Sequence, residues 1–350
     1  MSNVALNQVS APGLANHGAV NADRDALFLE IFSGMVLNYF NLATVTEGRH
    51  TVRTIPHGRS ATFPVTGSTT SYYHVPGQEL DFSRPEHAQV TIPIRGLCVA
   101  STFLDVLEDA QTHFSIKQEY SKQVGESLAK EYDTAVLQNM VLSARSAADL
   151  SQTHSENSGT VITAAGAGDI SGTYSKLVEA FYAAAQRMDE RGVPSQGRQA
   201  FLRPLQWYSL FRTGTASPIA DMINRDFGNT SGSLANAEMP RIAGIEVVKT
   251  FNLPDSNQGA GSNPQQSDLN QDYSDTLAVI NTPEAVAAVR LLSLTSESMY
   301  DMRRQGTIVL SKMAAGFGPL RKETALEVND GGNTAVSNAS FNSGATINIG

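Results

Sequence analysis

The sequence predicts an α+β fold that carries an extended two-stranded arm. Three observations lead there. "SATFPVTG" (60–67) and "HAQVTIPIRG" (87–96) each alternate apolar with polar residues, as half-buried strands do. "IKQEYSKQVGESLAKEYDTAVLQNMVLSAR" brings an apolar residue back every four positions, as a long helix does. Helical and strand patterns are then interspersed to the end of the chain, with no internal repeat.

The bulk composition narrows the class. A chain of 350 residues with 41% apolar and 17% charged residues can bury a sizeable core in more than one domain. The net charge of −9 argues against general nucleic-acid binding, which rests on cationic neutralisation of phosphates. One cysteine, Cys98, rules out an intramolecular disulfide and predicts folding in a reducing compartment, the cytoplasm. The first 25 residues lack a basic stretch followed by an apolar one, so no signal peptide is expected. No apolar run reaches the ~18 residues of a membrane-spanning helix.

Taken in order, residues 1–22 are small and polar and read as a flexible arm. In 23–45, Phe28, Ile31, Phe32, Met35, Val36, Tyr39 and Phe40 fall at helical spacing behind Asp23 or Asp25 as cap. Residues 48–96 form the arm and hold Pro56, Pro64, Pro76, Pro85 and Pro93. "VPGQ" (75–78) has Pro and Gly in type II turn order and marks the tip. Each limb is then about 20 residues, up to ~60 Å at strand rise. A compact chain of this size has a radius of gyration of roughly 20 Å. An arm of that length needs shelter on a neighbouring copy, since an isolated hairpin is marginal in water.

The long helix over 116–147 spans roughly 45 Å. Its apolar residues Tyr120, Val124, Leu128, Tyr132, Val136 and Met140 step by four, so the stripe drifts and its two ends need different cover. Residues 148–172 read as a loop. "TYSKLVEAFYAAAQRMDERGVP" is an amphipathic helix, "RQAFLRPL" a strand and "PLQWYSLFRT" a short helix. Residues 241–254 have strand character around Gly244, and 255–274 form a polar loop. "DTLAVIN" reads as a strand and "TPEAVAAVRLL" as a helix capped by Thr282 with Pro283 in its first turn. Residues 303–329 give two strands around a Gly/Pro turn, and 330–350 read as a loose tail.

The search for chemistry returns little. "GESLA" (125–129) resembles a nucleophile elbow, but Ser127 lies mid-helix where an elbow needs a strand-to-helix turn; small residues there allow close helix packing instead. "GAGDISG" (166–172) lacks the strand and the Lys of a phosphate loop. The seven histidines have no metal-ligand spacing, and no cofactor is expected. Arg49, Arg53 and Arg59 make the outgoing limb of the arm positive, whereas Glu79, Asp81 and Glu86 make its tip and return acidic. With Phe63, Val65, Val90 and Ile92 on the apolar face, these are the candidate inter-subunit contacts, the charges setting register against a neighbour.

These segments carry a resemblance. "RHTVRTIPHGRSATFPVTG", "VPGQEL", "EYSKQVGESLAKEYDTAVL", "GIEVV" and "SKMAAGFGPLRKE", in this order, resemble the major capsid proteins of T-seven-like short-tailed phages. The resemblance implies the tailed-phage capsid fold, the Hong Kong 97 fold. It implies an N-terminal arm and helix (1–50), an extended E-loop (51–96), and a peripheral domain (97–171) with its spine helix. An axial domain (172–300), a return to the peripheral domain (301–329) and a tail (330–350) complete it. Pentamers and hexamers of the chain would enclose double-stranded DNA in an icosahedral head, without binding it tightly. A separate scaffolding protein and a portal are the implied assembly partners, with assembly in the host cytoplasm and no membrane. A cellular compartment shell of related fold is the alternative, and a hydrolase using Ser127 a third reading.

Overall fold

A computed structural model describes residues 20–67, 71–80, 82, 85, 87–105, 116–147, 158–164, 174–211, 241–259, 269–331 and 345–349. In chain order the elements begin with helix α1 (Val20–Ala43), strands β1 (Thr51–Thr54), β2 (Ser60–Thr66), β3 (His87–Pro93) and β4 (Leu97–Asp105), and helix α2 (Ile116–Arg145). Strand β5 (Thr160–Ala164), helix α3 (Tyr174–Glu190), β6 (Gln199–Leu202) and helix α4 (Pro204–Phe211) follow. The remainder is β7 (Arg241–Ile242), β8 (Ile245–Lys249), β9 (Thr276–Asn281), β10 (Val286–Asp301), β11 (Gly306–Pro319), β12 (Ala325–Asn329) and β13 (Ala345–Ile349).

The chain divides into two compact units. The first joins α1, residues 98–129 and residues 293–313. Here Phe32, Val36 and Phe40 of α1 are buried, and α2 approaches through Gly125. A Cβ at 125 would lie 2.9 Å from both Tyr39 Cβ and the Val36 carbonyl oxygen, so glycine is what lets the two helices touch. Gly125 of "GESLA" therefore serves packing.

The second unit holds 44–97, 130–292 and 314–350. Its seven-stranded mixed sheet runs β13-β5-β12-β9-β6-β8-β7. Strand β9 is buried along its whole length, as a central strand covered on both faces must be. Leu177, Phe181, Ala184 and Met188 on one face of α3 join Ala200, Leu202, Trp207 and Leu277 in one apolar core. The β7–β8 turn has positive φ at Ala243 (50°) and Gly244 (80°), the pattern of a tight hairpin turn. This resolves 241–254 into two short strands. A second sheet has the order β1-β10-β11-β4, with β1 parallel to β10 through Thr51↔Ala287 to Thr54↔Arg290.

The periodicity of α2 translates directly. Val124, Leu128, Tyr132, Val136, Leu137 and Met140 are all buried. The two ends of the helix do have different cover, because its amino half belongs to the first unit and its carboxyl half to the second.

Four expectations need correction. The helix expected over 282–292 is strand β10. Val286, Ala287, Ala288 and Val289 are each 0% exposed. A run buried on both faces has no alternation to distinguish it from a buried helix. Thr282 and Pro283 form a turn instead, closed by Ala285 N–H donating to Thr282 O at 3.0 Å. The loop 148–172 contains β5, whose "TVITA" pairs in parallel with β12. The last residues of the tail pair with β5 as the edge strand β13. Among the described residues the paired part of the arm is also shorter than the ~20-residue limbs expected, seven residues on each limb.

Candidate assembly interface

β2 and β3 pair antiparallel with Ala61↔Ile92, Phe63↔Val90 and Val65↔Ala88, so the two alternating patterns place their apolar residues on one face. Ile94 N–H donates to Arg59 O at 2.8 Å, which makes 59/94 a bonded pair. Bonded pairs then recur at 61/92, 63/90 and 65/88, and the pairs between them aim their N–H groups away from the hairpin. Pro64, opposite Gln89, and Pro93, opposite Ser60, occupy those outward positions. Neither proline removes a bond from the hairpin. Each removes a donor from one outer edge, one on each strand, and so denies both edges to a further strand.

At its root the hairpin is held by its own chain. Ala61 and Ile92 are buried with Ala287 and Val289 of β10, and Phe63, Val90, Ile55, Ile94 and Leu320 pack around them. A Cβ at Gly318 would lie 2.9 Å from Ile92, so β11 presses closely on β3. Arg53 lies over the Phe63 ring at 5.3 Å and donates to Thr62 O. Arg49 pairs with Glu246 at 2.9 Å and donates to Gln199 Oε1. Arg59 is exposed. Phe63 and Val65 also wall an open cleft of about 1070 Å³ against Pro194, Pro283 and the end of α3. Of the candidate contacts, Arg49, Arg53 and Ile92 are thus engaged within the chain. Glu79 is exposed near the tip, and Asp81 lies outside the described residues.

The tip is where apolar surface faces solvent. Gln78 N–H donates to Val75 O at 3.2 Å with Gly77 at φ 91°, the type II turn expected for "VPGQ". Around it Tyr73 is fully exposed, Phe82 is 86% exposed, and Tyr72, Val75 and Leu80 are each more than half exposed. Sequence reasoning passed over these five residues. The available signal was composition: "SYYHVPGQELDF" is a turn, and solvated turns are not normally rich in aromatics.

A buried polar network ties down the strap 44–50 from which β1 springs. Asp133, 0% exposed on α2, accepts from Val45 N–H (2.9 Å), Thr46 N–H (3.2 Å), Thr46 Oγ1 (2.6 Å) and Asn252 Nδ2 (3.0 Å). His50 Nδ1 donates to Thr46 O at 2.8 Å, and its Nε2 lies 2.8 Å from Tyr132 Oη. Arg290 Nη2 reaches Tyr132 Oη at 3.1 Å and Glu47 at 2.9 Å. Burial pushes the His50 imidazole below its ordinary 6.5 and raises the Tyr132 phenol.

Among the described residues no catalytic constellation accompanies this network. Ser127 is exposed in mid-helix, and "GAGDISG" lies outside the described residues. Among the described residues no three His, Cys, Asp or Glu side chains are grouped to hold a metal ion.

Comparison with known proteins decides the family. The Gp10A-like major capsid protein family model matches residues 62–329. The chain belongs to that family. It is 29% identical over 328 residues to the major capsid protein of Escherichia phage T7, covering 87% of this chain and 91% of the relative. The solved capsid structure of cyanophage P-SCSP1u superposes with a TM-score of 0.70 at 30% identity, over 82% of this chain and 88% of the other. The mature capsid of bacteriophage PhiM1 shares the fold, with a TM-score of 0.66 at 20% identity over 82% and 86% of the two chains. This capsid protein therefore has the tailed-phage capsid fold, is a structural component of the phage head, and assembles with copies of itself into the shell.

Proposed function

We propose that the hairpin tip is the handle by which one copy of this capsid protein holds the next. The supporting observation is the exposed cluster around Tyr73 and Phe82, at the far end of an arm whose root is anchored in its own chain. Several large apolar side chains exposed within one short turn mark an interaction site. A tip on one copy and a different acceptor on the next make a heterologous contact, which closes into rings or tiles onward according to the rotation between copies. Pentamers and hexamers are the rings such a contact supplies to an icosahedral shell. On this reading residues 51–96 are the E-loop, and the seven-stranded sheet with α3 forms the axial domain. A separate scaffolding protein and a portal complete the assembly. The acidic subunit, at −9, encloses double-stranded DNA without gripping it.

The test is the double variant Tyr73→Asp/Phe82→Asp. Both side chains are solvent-exposed, so the variant is expected to fold with native circular dichroism and melting. Expressed with scaffold, it is expected to leave only small oligomers in velocity sedimentation and negative-stain microscopy, where the native chain forms closed shells. Normal shells from the variant would refute the tip as an interface. Shells of the native chain that enclose protein in place of DNA would favour a compartment over a phage head.

A further inference from the structure

The strap 44–50 is clamped by hydrogen bonds that all run one way, and one member of the chain is a histidine that burial holds below its ordinary 6.5. The Thr46 carbonyl can only accept, so His50 Nδ1 carries a proton and donates to it. In the neutral ring Nε2 then has a lone pair and accepts the Tyr132 hydroxyl proton. The Tyr132 oxygen is left to accept from Arg290. Each group has one role, in a line from Arg290 through Tyr132 and His50 to Thr46.

A second proton on the ring breaks this order. Nε2 becomes a donor, so His50 and Arg290 both aim hydrogens at the Tyr132 oxygen, and the bond by which the tyrosine donated to the ring is lost. The new cation also stands beside the guanidinium, which already lies 5.3 Å from the Tyr132 ring centroid. The charged and titratable groups facing His50 are Arg290 on β10, Tyr132 and Asp133 on α2, and Glu47 on the strap itself. Glu47 and Asp133 favour the charged ring electrostatically, but burial outweighs them, and both carboxylates already have partners. Glu47 is paired with Arg290, and Asp133 accepts from Val45, Thr46 and Asn252.

We propose that His50 is a proton-operated latch on the root of the hairpin, closed when the ring is neutral and released when it is doubly protonated. Release frees residues 44–54, the strap and β1, and with them the angle at which the hairpin leaves the body. The linkage sign agrees. A histidine held below its ordinary 6.5 contributes stability that is complete above that value and is lost as pH falls through the folded-state value.

The measurement is hydrogen–deuterium exchange of the purified full chain from about pH 7.5 to about pH 5, corrected for intrinsic rates. In the native chain, opening of 44–54 is expected to rise by up to about tenfold per pH unit between the ordinary histidine value and the lower folded-state one, as one-proton linkage requires. The buried strand 276–281 serves as the internal control and stays unchanged. His50→Gln, with no titrating group, is expected to give a flat profile over 44–54. A flat native profile, or the same rise in His50→Gln, overturns the latch. Should His50→Gln fail to fold, Tyr132→Phe replaces it. That variant removes the proton the neutral ring accepts, so the folded-state value is expected to rise toward the ordinary 6.5 and the total pH-dependent gain in opening to shrink; an unchanged gain overturns the proposal.

Discussion

At the scale of single residues, the interior of the second unit is held by polar contacts that no local pattern announces. Arg145 closes on Glu327 through Nε and Nη2, both at 2.6 Å, across a separation of 182 residues. Glu327 is 0% exposed and also accepts from Thr276 Oγ1 at 2.7 Å. Removing the cation alone strands a buried carboxylate. Arg145→Ala is therefore expected to lose about 3–5 kcal/mol in chemical denaturation of the isolated subunit. Arg145→Met combined with Glu327→Leu is expected to recover most of that loss, since paired apolar replacement leaves no charge behind. Equal losses in the two variants would show that packing, and not charge, dominates. None of this was legible in the sequence. Arg145 reads there as a last-turn basic residue and Glu327 as the polar member of an alternating strand, and only the fold brings them together. Gly125 was partly legible: "GESLA" indicated close packing, though not that Tyr39 and Val36 would be the neighbours.

At the scale of elements, legibility followed periodicity. The two-step of β2 and β3 and the four-step in the amino half of α2 report the face that is buried, because each has a polar side left to solvent; the carboxyl half of α2 is buried all round. β10 has no such side at Val286–Val289, and its cap-like Thr282–Pro283 made the wrong element look complete. β5 was hidden by the Ser, Thr, Ala and Gly around it, and its partner β12 lies far along the chain. The two hairpin prolines were legible as edge residues, and the register adds that each blocks a different edge. Replacing both by threonine restores an outward N–H on each strand without touching a bond inside the hairpin. Pro64→Thr/Pro93→Thr is expected to leave the subunit's melting temperature nearly unchanged while raising the fraction of irregular aggregates seen by sedimentation. A monodisperse product identical to the native chain would show that the edges are protected by something other than proline.

At the scale of the whole molecule, the alternating pattern drew attention to the paired part of the hairpin, whereas the proposed contact lies at its tip. An alternating strand pair declares an apolar face, but not whether the chain that carries it also covers it. Here β10 and β11 cover the root, and the tip's aromatics remain exposed. If each copy gives one tip and receives another, a copy without a tip still accepts its neighbour and then ends the chain of contacts. Such copies should poison assembly out of proportion to their number. Co-expression of native and Tyr73→Asp/Phe82→Asp chains at equal levels would leave on the order of one six-membered ring in sixty with every contact intact, because each position must be filled by a native copy independently. Shell yield, read by sedimentation against the mixing ratio, is then expected to collapse at small admixtures of the variant, along a steep convex curve. A straight-line fall would mean that subunits fail singly, through folding. A yield that holds until native copies are scarce would mean that the tip contact is dispensable and that the shell is held by other surfaces.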